Sequence, residues 1–439
     1  QTPPMSEKEH SELRFTSSKT HRVIARFDGG SVSSDGGLLL IREADRRLGL
    51  TAGASRELVD KRQRGKVAHS AHTLLQQRVY GLTAGYEDLN DFDELRDDAL
   101  WQMLAGDGRR LGGMSTLSRF ENQQTRQSAV ALNRLLVDQF INSFEHAPDQ
   151  IILDFDATDD RVHGMQQGRC FHGYYGDYCF LPLYVFFGSQ LLVAYLRPSN
   201  IDAAKHAGAI LKLLTGYIRE RWPDTKIVYR GDGGFCRHRV LGWCERNGVD
   251  YIVGIPRNKR LQRFGAQLQG QARSAFECSR KKQKHFGEFE YAAGSWARKR
   301  RIIHKAEHTD KGPNPRFVVT NLPDPPAQIY QRYCLRGEME NKIKEQMMLF
   351  SDRTSAHCWW ANQWRVLLSA LAYVLVDSIR RTALRGSELE RATVRTIRLK
   401  LVKIGCLILR KRSRLIVRLS AACPFKELFT NCAAQLRPT

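Results

Sequence analysis

The sequence predicts an α/β protein whose parallel strands end in acidic residues. Three observations point there. From Gln150 to Pro256 the pattern runs strand, hairpin, helix, strand, helix, strand, the alternation that builds a sheet with parallel members. Two of its apolar runs, IILDFDATDD (151–160) and VYRGDGGF (228–235), stop at aspartates. The chain before this stretch reads as helical, and the chain after it ends in a basic region.

Taken in order, residues 1–20 are polar and read as a flexible N-terminus. Residues 21–148 form a mostly helical region. It opens with the alternating HRVIARF, turns through GGSVSSDGG and enters the apolar LLLIREADRRLGL, a helix that Asp35 is placed to cap. HSAHTLLQQRVYGLTAGY (69–86) repeats its apolar residues near every 3.6 positions, and DLNDFDELRDDALWQML (88–104) has the acidic first turn that suits a helix N-terminus. Ser115 to Phe144 reads as a helical pair.

Residues 149–256 make the first part of a core. IILDFDATD (151–159) is a buried strand, 173–200 a hairpin of two apolar strands, 203–222 an amphipathic helix and KIVYRGD (226–232) the next strand. A helix over 236–248 and the strand DYIVGIP (250–256) complete it. In open α/β sheets ligands gather beyond the carboxyl ends of the strands, where Asp156 and Asp232 fall. Residues 257–330, with FGEFEYAAGSWARKRRIIHK and NPRFVVTNL, read as a β-rich insertion with basic edges. Residues 331–385 return to the core through YCLRGEMENKIKE (333–345) and a buried helix pair over 351–384. Residues 386–439 form a basic C-terminal region, for DNA binding or dimerisation. Apolar residues at 397, 399 and 401, then 415, 417 and 419, favour a β-hairpin there.

Tyr333, Arg336 and Glu340 stand at i, i+3 and i+7, so they share one helical face. Carboxylates arriving from two strand ends (Asp156, Asp232) and that helix (Glu340) suit the capture of two divalent metal ions for phosphoryl transfer. Asp154 lies two residues before Asp156 and shares its strand face, so composition does not separate the two. Glu338 sits about 200° round the helix from Glu340 and cannot face the same point. Asp159 and Asp160 read as capping or solvent-facing acids. Gly231, Gly233 and Gly234 allow close backbone approach or positive φ, or simply a strand-to-helix turn.

The 439-residue chain carries a formal net charge of +23, spread over Lys/Arg-rich segments at 61–65, 257–263, 280–284, 298–305 and 391–418. From 391 onward there are twelve basic residues against one acid, Glu427. Such a distribution fits a polyanion bound along an extended path, DNA or RNA. A hydrophobic content of 42% fits a folded soluble protein. Ten cysteines without metal-binding spacing read as reduced thiols of a cytoplasmic protein. No signal peptide is visible. The longest uncharged run, Phe180 to Leu196, is broken by Pro182 and by Gly188-Ser189-Gln190, a hairpin rather than a membrane span.

Several motifs carry a family resemblance. Asp156-Ala157-Thr158 resembles the D-x-T motif of DDE transposases, and Arg230 to Phe235 looks like their second-aspartate motif. Tyr333, Arg336 and Glu340 are similar to the Y-R-E-K signature of the cut-and-paste branch. FDGGSVSSDGGLLLIREADRRLGL (27–50), GYEDLNDFDELRDD (85–98) and RGEMENKIKE (336–345) most resemble insertion-sequence family thirteen-eighty, over roughly residues 20 to 425. The resemblance implies a ribonuclease-H-like core and a homodimer in a synaptic complex. Its partners would be double-stranded DNA, the terminal inverted repeats and the target. Asp156, rather than Asp154, with Asp232 and Glu340 would be the catalytic residues and the ligands of two Mg²⁺, with Mn²⁺ as substitute. The helical region at 21–148 would bind the element's ends. The family's lysine seven residues after Glu340 is Met347 here, and Lys344 stands one turn earlier in its stead. Trp296 would either stack on a flipped base or pack in the sheet. Arg298, Lys299, Arg300, Arg410, Lys411 and Arg412 join Tyr333 and Arg336 as DNA-binding residues. The competing readings are a non-catalytic DNA-binding derivative and a metal-dependent nuclease of the same fold.

Overall fold

The computed structural model describes residues 12–437 apart from 59, 107 and 413. Residues 1–11, most of the expected flexible N-terminus, lie outside the described residues. The chain groups into two units, each discontinuous in sequence. One joins residues through Arg47 with Gln63–Ser118 and Ile379–Thr439, and the other joins Leu48–Arg62 with Arg119–Ser378.

The larger unit is built on one sheet, of nine strands among the described residues. Its main members are β1 (Gln150–Ala157), β2 (Leu183–Phe187), β3 (Gln190–Tyr195), β4 (Lys226–Gly231), β5 (Asp250–Ile255), β6 (Gln283–Tyr291), β7 (Arg300–Thr309) and β8 (Arg316–Thr320). Across the sheet they run β6-β7-β8-β5-β4-β1-β2-β3, with the short Gly312–Pro313 strand on β7. The pairings β1–β4 and β4–β5 are parallel and the rest antiparallel. The expected hairpin is β2 with β3. The expected β-rich insertion needs correction on two counts. Its strands extend the same sheet, since β8 pairs with β5, and residues Lys259–Phe264 and Ala266–Ser279 are helical. The Asn258 side chain caps the first of these helices, accepting from the Leu261 amide at 2.9 Å.

Helices cover both faces, which is why the central strands read as unbroken apolar runs. On one face Ile151, Leu153 and Phe155 of β1 join Tyr229 of β4 in a core with α1 (Arg126–Asn142), α2 (Ala207–Arg219) and α3 (His238–Arg246). On the other, Val228, Ile252, Ile303 and Val318 pack with Ile329 and Tyr330 of α4 (Pro326–Cys334). Then come α5 (Gly337–Met347) and α6 (Trp359–Thr382), the latter a single helix of 24 residues where a pair was expected. No glycine or proline interrupts it, and Tyr373 on it packs edge-on against Phe186 of β2 at 5.9 Å. Among the described residues no helix is long and apolar enough to cross a membrane.

The smaller unit begins with an exposed two-stranded ribbon, Leu13–Phe15 against Val23–Ala25, so this part of the expected loose N-terminus is paired. Its helices include Leu38–Leu48, Ala71–Ala84 (capped by Ser70) and Ala99–Ala105 (capped by Asp98). Asp35 does not cap the first of them. Its buried carboxylate accepts from Tyr86 Oη at 2.9 Å, Trp101 Nε1 at 2.9 Å and Lys403 Nζ at 2.7 Å, tying three segments together. The C-terminal hairpin is Cys406–Arg410 with Leu415–Leu419. The alternation at 397–401 proved misleading: Val394–Ile397 and Arg398–Val402 are helical, because Thr393 caps the Thr396 amide and only Ile397 and Leu401 are buried while Leu399 is exposed.

Candidate active site

Two neighbouring parallel strands, β1 and β4, set the site. Their register ends with Phe155 opposite Gly231, so one residue further each carries an acid, Asp156 and Asp232. Asp232 turns the chain out of the sheet, its Oδ1 accepting from the Gly234 amide at 2.8 Å. The glycines around it are required by packing rather than by φ, since Gly231, Gly233 and Gly234 have no positive φ. A Cβ on Gly231 would lie 2.8 Å from Phe235 Cβ. One on Gly254 of β5 would lie 2.5 Å from the Tyr333 hydroxyl and 2.9 Å from the Gly233 amide. The bare backbone of Gly254 therefore lets Tyr333 and the Asp232 turn close on each other.

The third acid arrives across a broken helix. The single helix expected over 333–345 is split, with Tyr333 near the end of α4, Arg336 at the junction and Glu340 in α5. Tight turns bridge the break, the Arg336 amide donating to the Tyr333 carbonyl at 3.1 Å. Arg336 still faces the strand ends. Its Nη1 lies 3.0 Å from Asp156 Oδ2 and its Nη2 3.7 Å from Glu340 Oε1.

Burial pushes the Asp156 carboxyl up to about 6; Arg336 works against that rise, while Asp232 and Glu340 add to it. Burial disfavours the charge on Arg336, but Asp156, Tyr333, Asp232 and Glu340 together hold its pKa above the usual value. Tyr333 is raised by burial and by Asp232, against Arg336. Arg336 bridges two of the acids, Asp156 and Glu340, and among the described residues no three acidic, histidine or cysteine groups gather into a metal-binding cluster. Carboxylate oxygens are donors of the kind a hard divalent cation takes.

The structure separates Asp154 from Asp156. Asp154 is buried and forked by Arg230, whose Nη2 donates to Oδ2 at 2.6 Å and whose Nε binds Oδ1. Burial outweighs that pairing and keeps Asp154 above the ordinary carboxylate range. Sequence reading missed this role of Arg230, although its place opposite Asp154 follows from the strand register. Asp160 is corrected too: it is buried, accepts from Thr354 Oγ1 at 2.7 Å, and burial pushes its pKa up to about 7.

Elsewhere the expected DNA-binding residues are scattered. Lys344 is exposed on α5, and Arg410, Lys411 and Arg412 are exposed at the C-terminal hairpin. Trp296 is half-buried, edge-on to Tyr291 at 5.7 Å and beneath the Arg300 guanidinium at 4.9 Å, so its ring is engaged in packing. Arg298 and Lys299 are exposed, whereas Arg300 is buried and donates to Glu245 at 2.7 and 3.1 Å. A buried, paired guanidinium does not reach out to DNA as expected of Arg300.

Acids thus follow the ends of two adjacent parallel strands, and a third faces them from α5 through Arg336. The chain belongs to the family described as transposase DDE domain group 1, whose model matches residues 15–439. It is a DDE transposase, a polynucleotidyl transferase and endonuclease. Among solved structures it is similar to the piggyBac transposase synaptic complex with hairpin DNA, at 12% identity and a TM-score of 0.41, covering 93% of this chain and 86% of that one. No curated protein matches it.

Proposed function

We propose that the chain is the transposase of an insertion sequence, of the cut-and-paste branch and nearest to family thirteen-eighty. In this reading it binds terminal inverted repeats, cleaves the element's ends and joins the freed 3′ ends to target DNA. The observation that carries it is the placement of Asp156 and Asp232 at the ends of adjacent parallel strands, with Arg336 joining Asp156 to Glu340 of the facing helix. The strand order β3-β2-β1-β4-β5, an antiparallel meander followed by two parallel strands, supports a ribonuclease-H-like core.

In the first step a water oxygen bonds to phosphorus, and the 3′ oxygen leaves and takes a proton. In the second that 3′ hydroxyl attacks a target phosphodiester and displaces its oxygen. Asp156, Asp232 and Glu340 would hold Mg²⁺, or Mn²⁺ in its place, which supplies charge stabilisation at attacking and leaving oxygens. Arg336 positions a phosphate while keeping Asp156 ionised. Tyr333, packed on Gly254, holds the Asp232 turn in place. Arg230 occupies Asp154 and so reserves Asp156 for the chemistry. Exposed Arg410, Lys411 and Arg412 supply phosphate contacts that raise affinity without reading sequence. Two copies acting on paired ends, in the cytoplasm, complete the reading.

The test uses DNA from either side of the gene with Mg²⁺ or Mn²⁺, comparing wild type with Glu340→Ala on a sequencing gel. Metal-dependent cuts at the repeat boundary, lost in the variant, are expected, followed by joined products. Cuts without joining would reduce the reading to a nuclease. Equal cutting by the variant would remove Glu340 from the site.

A further inference from the structure

A second charged site lies away from the acids. Lys212 of α2, Arg239 and Arg246 of α3, and Arg298 and Arg300 at the start of β7 surround one cavity of about 550 Å³ with a single carboxylate, Glu245. None of Asp156, Asp232 and Glu340 lines it. Arg239 and Arg246 are seven residues apart and share a face of α3. Between them sits Gly242: a Cβ there would stand 3.4 Å from Arg246 Nη1 and 3.8 Å from Arg300 Nη2. The two guanidiniums therefore converge on bare backbone.

Glu245 does not neutralise this ring. It is consumed by Arg300 at 2.7 Å, Arg298 at 2.8 Å and the Tyr251 hydroxyl at 2.8 Å. The Arg300 side chain is 5% exposed, and its Nη1 is buried with no hydrogen-bond partner among the described residues. Lys212, Arg239 and Arg246 are exposed. Three exposed cations over a glycine floor, with the cavity's one carboxylate taken up by Arg298 and Arg300, suit an anion. Five cations against one carboxylate exceed what a single phosphate needs, so the complement is a polyanion.

We propose that this cavity seats the sugar–phosphate backbone of double-stranded DNA at a distance from the reacting phosphate. Arg298 and Arg300 form its frame through Glu245, and Lys212, Arg239 and Arg246 bind the phosphates. The proposal rests on the reading of this chain as a DNA transposase.

The experiment titrates a fluorescein-labelled duplex of arbitrary sequence with the full chain over a range of salt. It compares wild type, Arg239→Gln with Arg246→Gln, and a control pair, Arg134→Gln with Arg221→Gln, also exposed arginines. Each phosphate that goes unneutralised should lower the log–log salt slope by about 0.9, so the slope should fall by about 1.8 in the first pair and stay unchanged in the control pair. Gly242→Leu, which fills the floor without changing charge, should weaken binding while leaving the melting temperature near wild type. An unchanged slope in the first pair, or an equal fall in both pairs, overturns the proposal. So does protection of wild type by pyrophosphate with no effect of the first pair on duplex binding. Wild type that binds no duplex at all would instead overturn the transposase reading on which the proposal stands.

Discussion

Arg336 holds Asp156 at 3.0 Å and reaches toward Glu340 at 3.7 Å, making one cation the shared partner of two acids from different elements. Removing it should cost more than a surface ion pair. In Arg336→Ala the Asp156 carboxyl, already up at about 6 through burial with Arg336 opposing the rise, is left without that opposing charge and titrates higher. Cleavage should fall by about a hundredfold or more, as for loss of a preorganised charge at a reacting centre. The acidic limb of the pH–rate profile should move to higher pH. An unmoved limb would show that Arg336 does not act on Asp156.

Metal capture should depend on the same proton. Ligands bind metal in their deprotonated form, and burial sets Asp156 near 6 in the metal-free chain. Mn²⁺ affinity by calorimetry should therefore be flat above about pH 7 and drop by about tenfold per unit well below 6. The drop should vanish in Asp156→Asn, whose residual binding is weak at all pH. A pH-independent wild type would take Asp156 out of the ligand set.

The two aspartates of β1 should separate into fold and chemistry. Asp154→Ala leaves the Arg230 guanidinium buried without its carboxylate. Breaking a buried pair by removing one partner costs about 3–5 kcal/mol, so urea denaturation should show a large loss of stability. Asp156→Asn should be at least as stable as wild type at neutral pH, because it removes a carboxylate whose pKa burial raises, yet should not cleave. Reversed phenotypes would assign the reacting acid to Asp154.

How much of this was legible follows from the range of each signal. The strands β1, β4 and β5 were plain because burial on both faces leaves long apolar runs, and the acids closing β1 and β4 marked the strand ends. Helix continuity was less plain. Nothing in YCLRGEMENKIKE forbids one helix through 333–345 except Gly337, and the break is slight, since Leu335 and Arg336 keep helical backbone angles across it. Leu399 misled because a helix edge also places one apolar residue in solvent. The Asp154–Arg230 pair, the Glu245 hub and the Asp35 hub join residues far apart in sequence, and periodicity carries no information about such partners.

Asp35 shows what that blindness conceals. A residue read as a helix cap is instead the acceptor for Tyr86, Trp101 and Lys403 inside the smaller unit. Burial disfavours the charge of Lys403, yet Asp35 and Tyr86 hold its pKa above the usual value. Asp35→Ala leaves an ammonium, a phenol and an indole without their acceptor, so the loss should be about 3–5 kcal/mol, well above the roughly 1 kcal/mol of a deleted cap. Thermal melting of Asp35→Ala and Asp98→Ala side by side checks this. Asp98 is a true cap, accepting from the Leu100 amide at 2.7 Å. Equal losses would return Asp35 to a capping role.

Met347 stands seven residues after Glu340, two turns along the same helix, and the structure shows what it faces. It lines a cavity of about 430 Å³ with Asp159, Asp160 and Asp352. Asp160 is 2% exposed, its Oδ1 is buried without a partner among the described residues, and burial, reinforced by Asp352 and Asp159, raises its pKa from 3.8 to about 7. The folded chain therefore keeps a proton that the unfolded chain releases between those values. The contribution of Asp160 to stability is full below 3.8 and is lost as pH rises to about 7, at a cost on the order of 4 kcal/mol once complete. Met347→Lys brings an ammonium into the cavity and should lower that pKa, restoring stability above neutrality. Asp160→Asn keeps the bond from Thr354 and should do the same by removing the charge. In urea denaturation both variants should gain over wild type at about pH 8 and not at about pH 4. Equal shifts at the two pH values would mean that shape in this cavity matters and its buried charge does not.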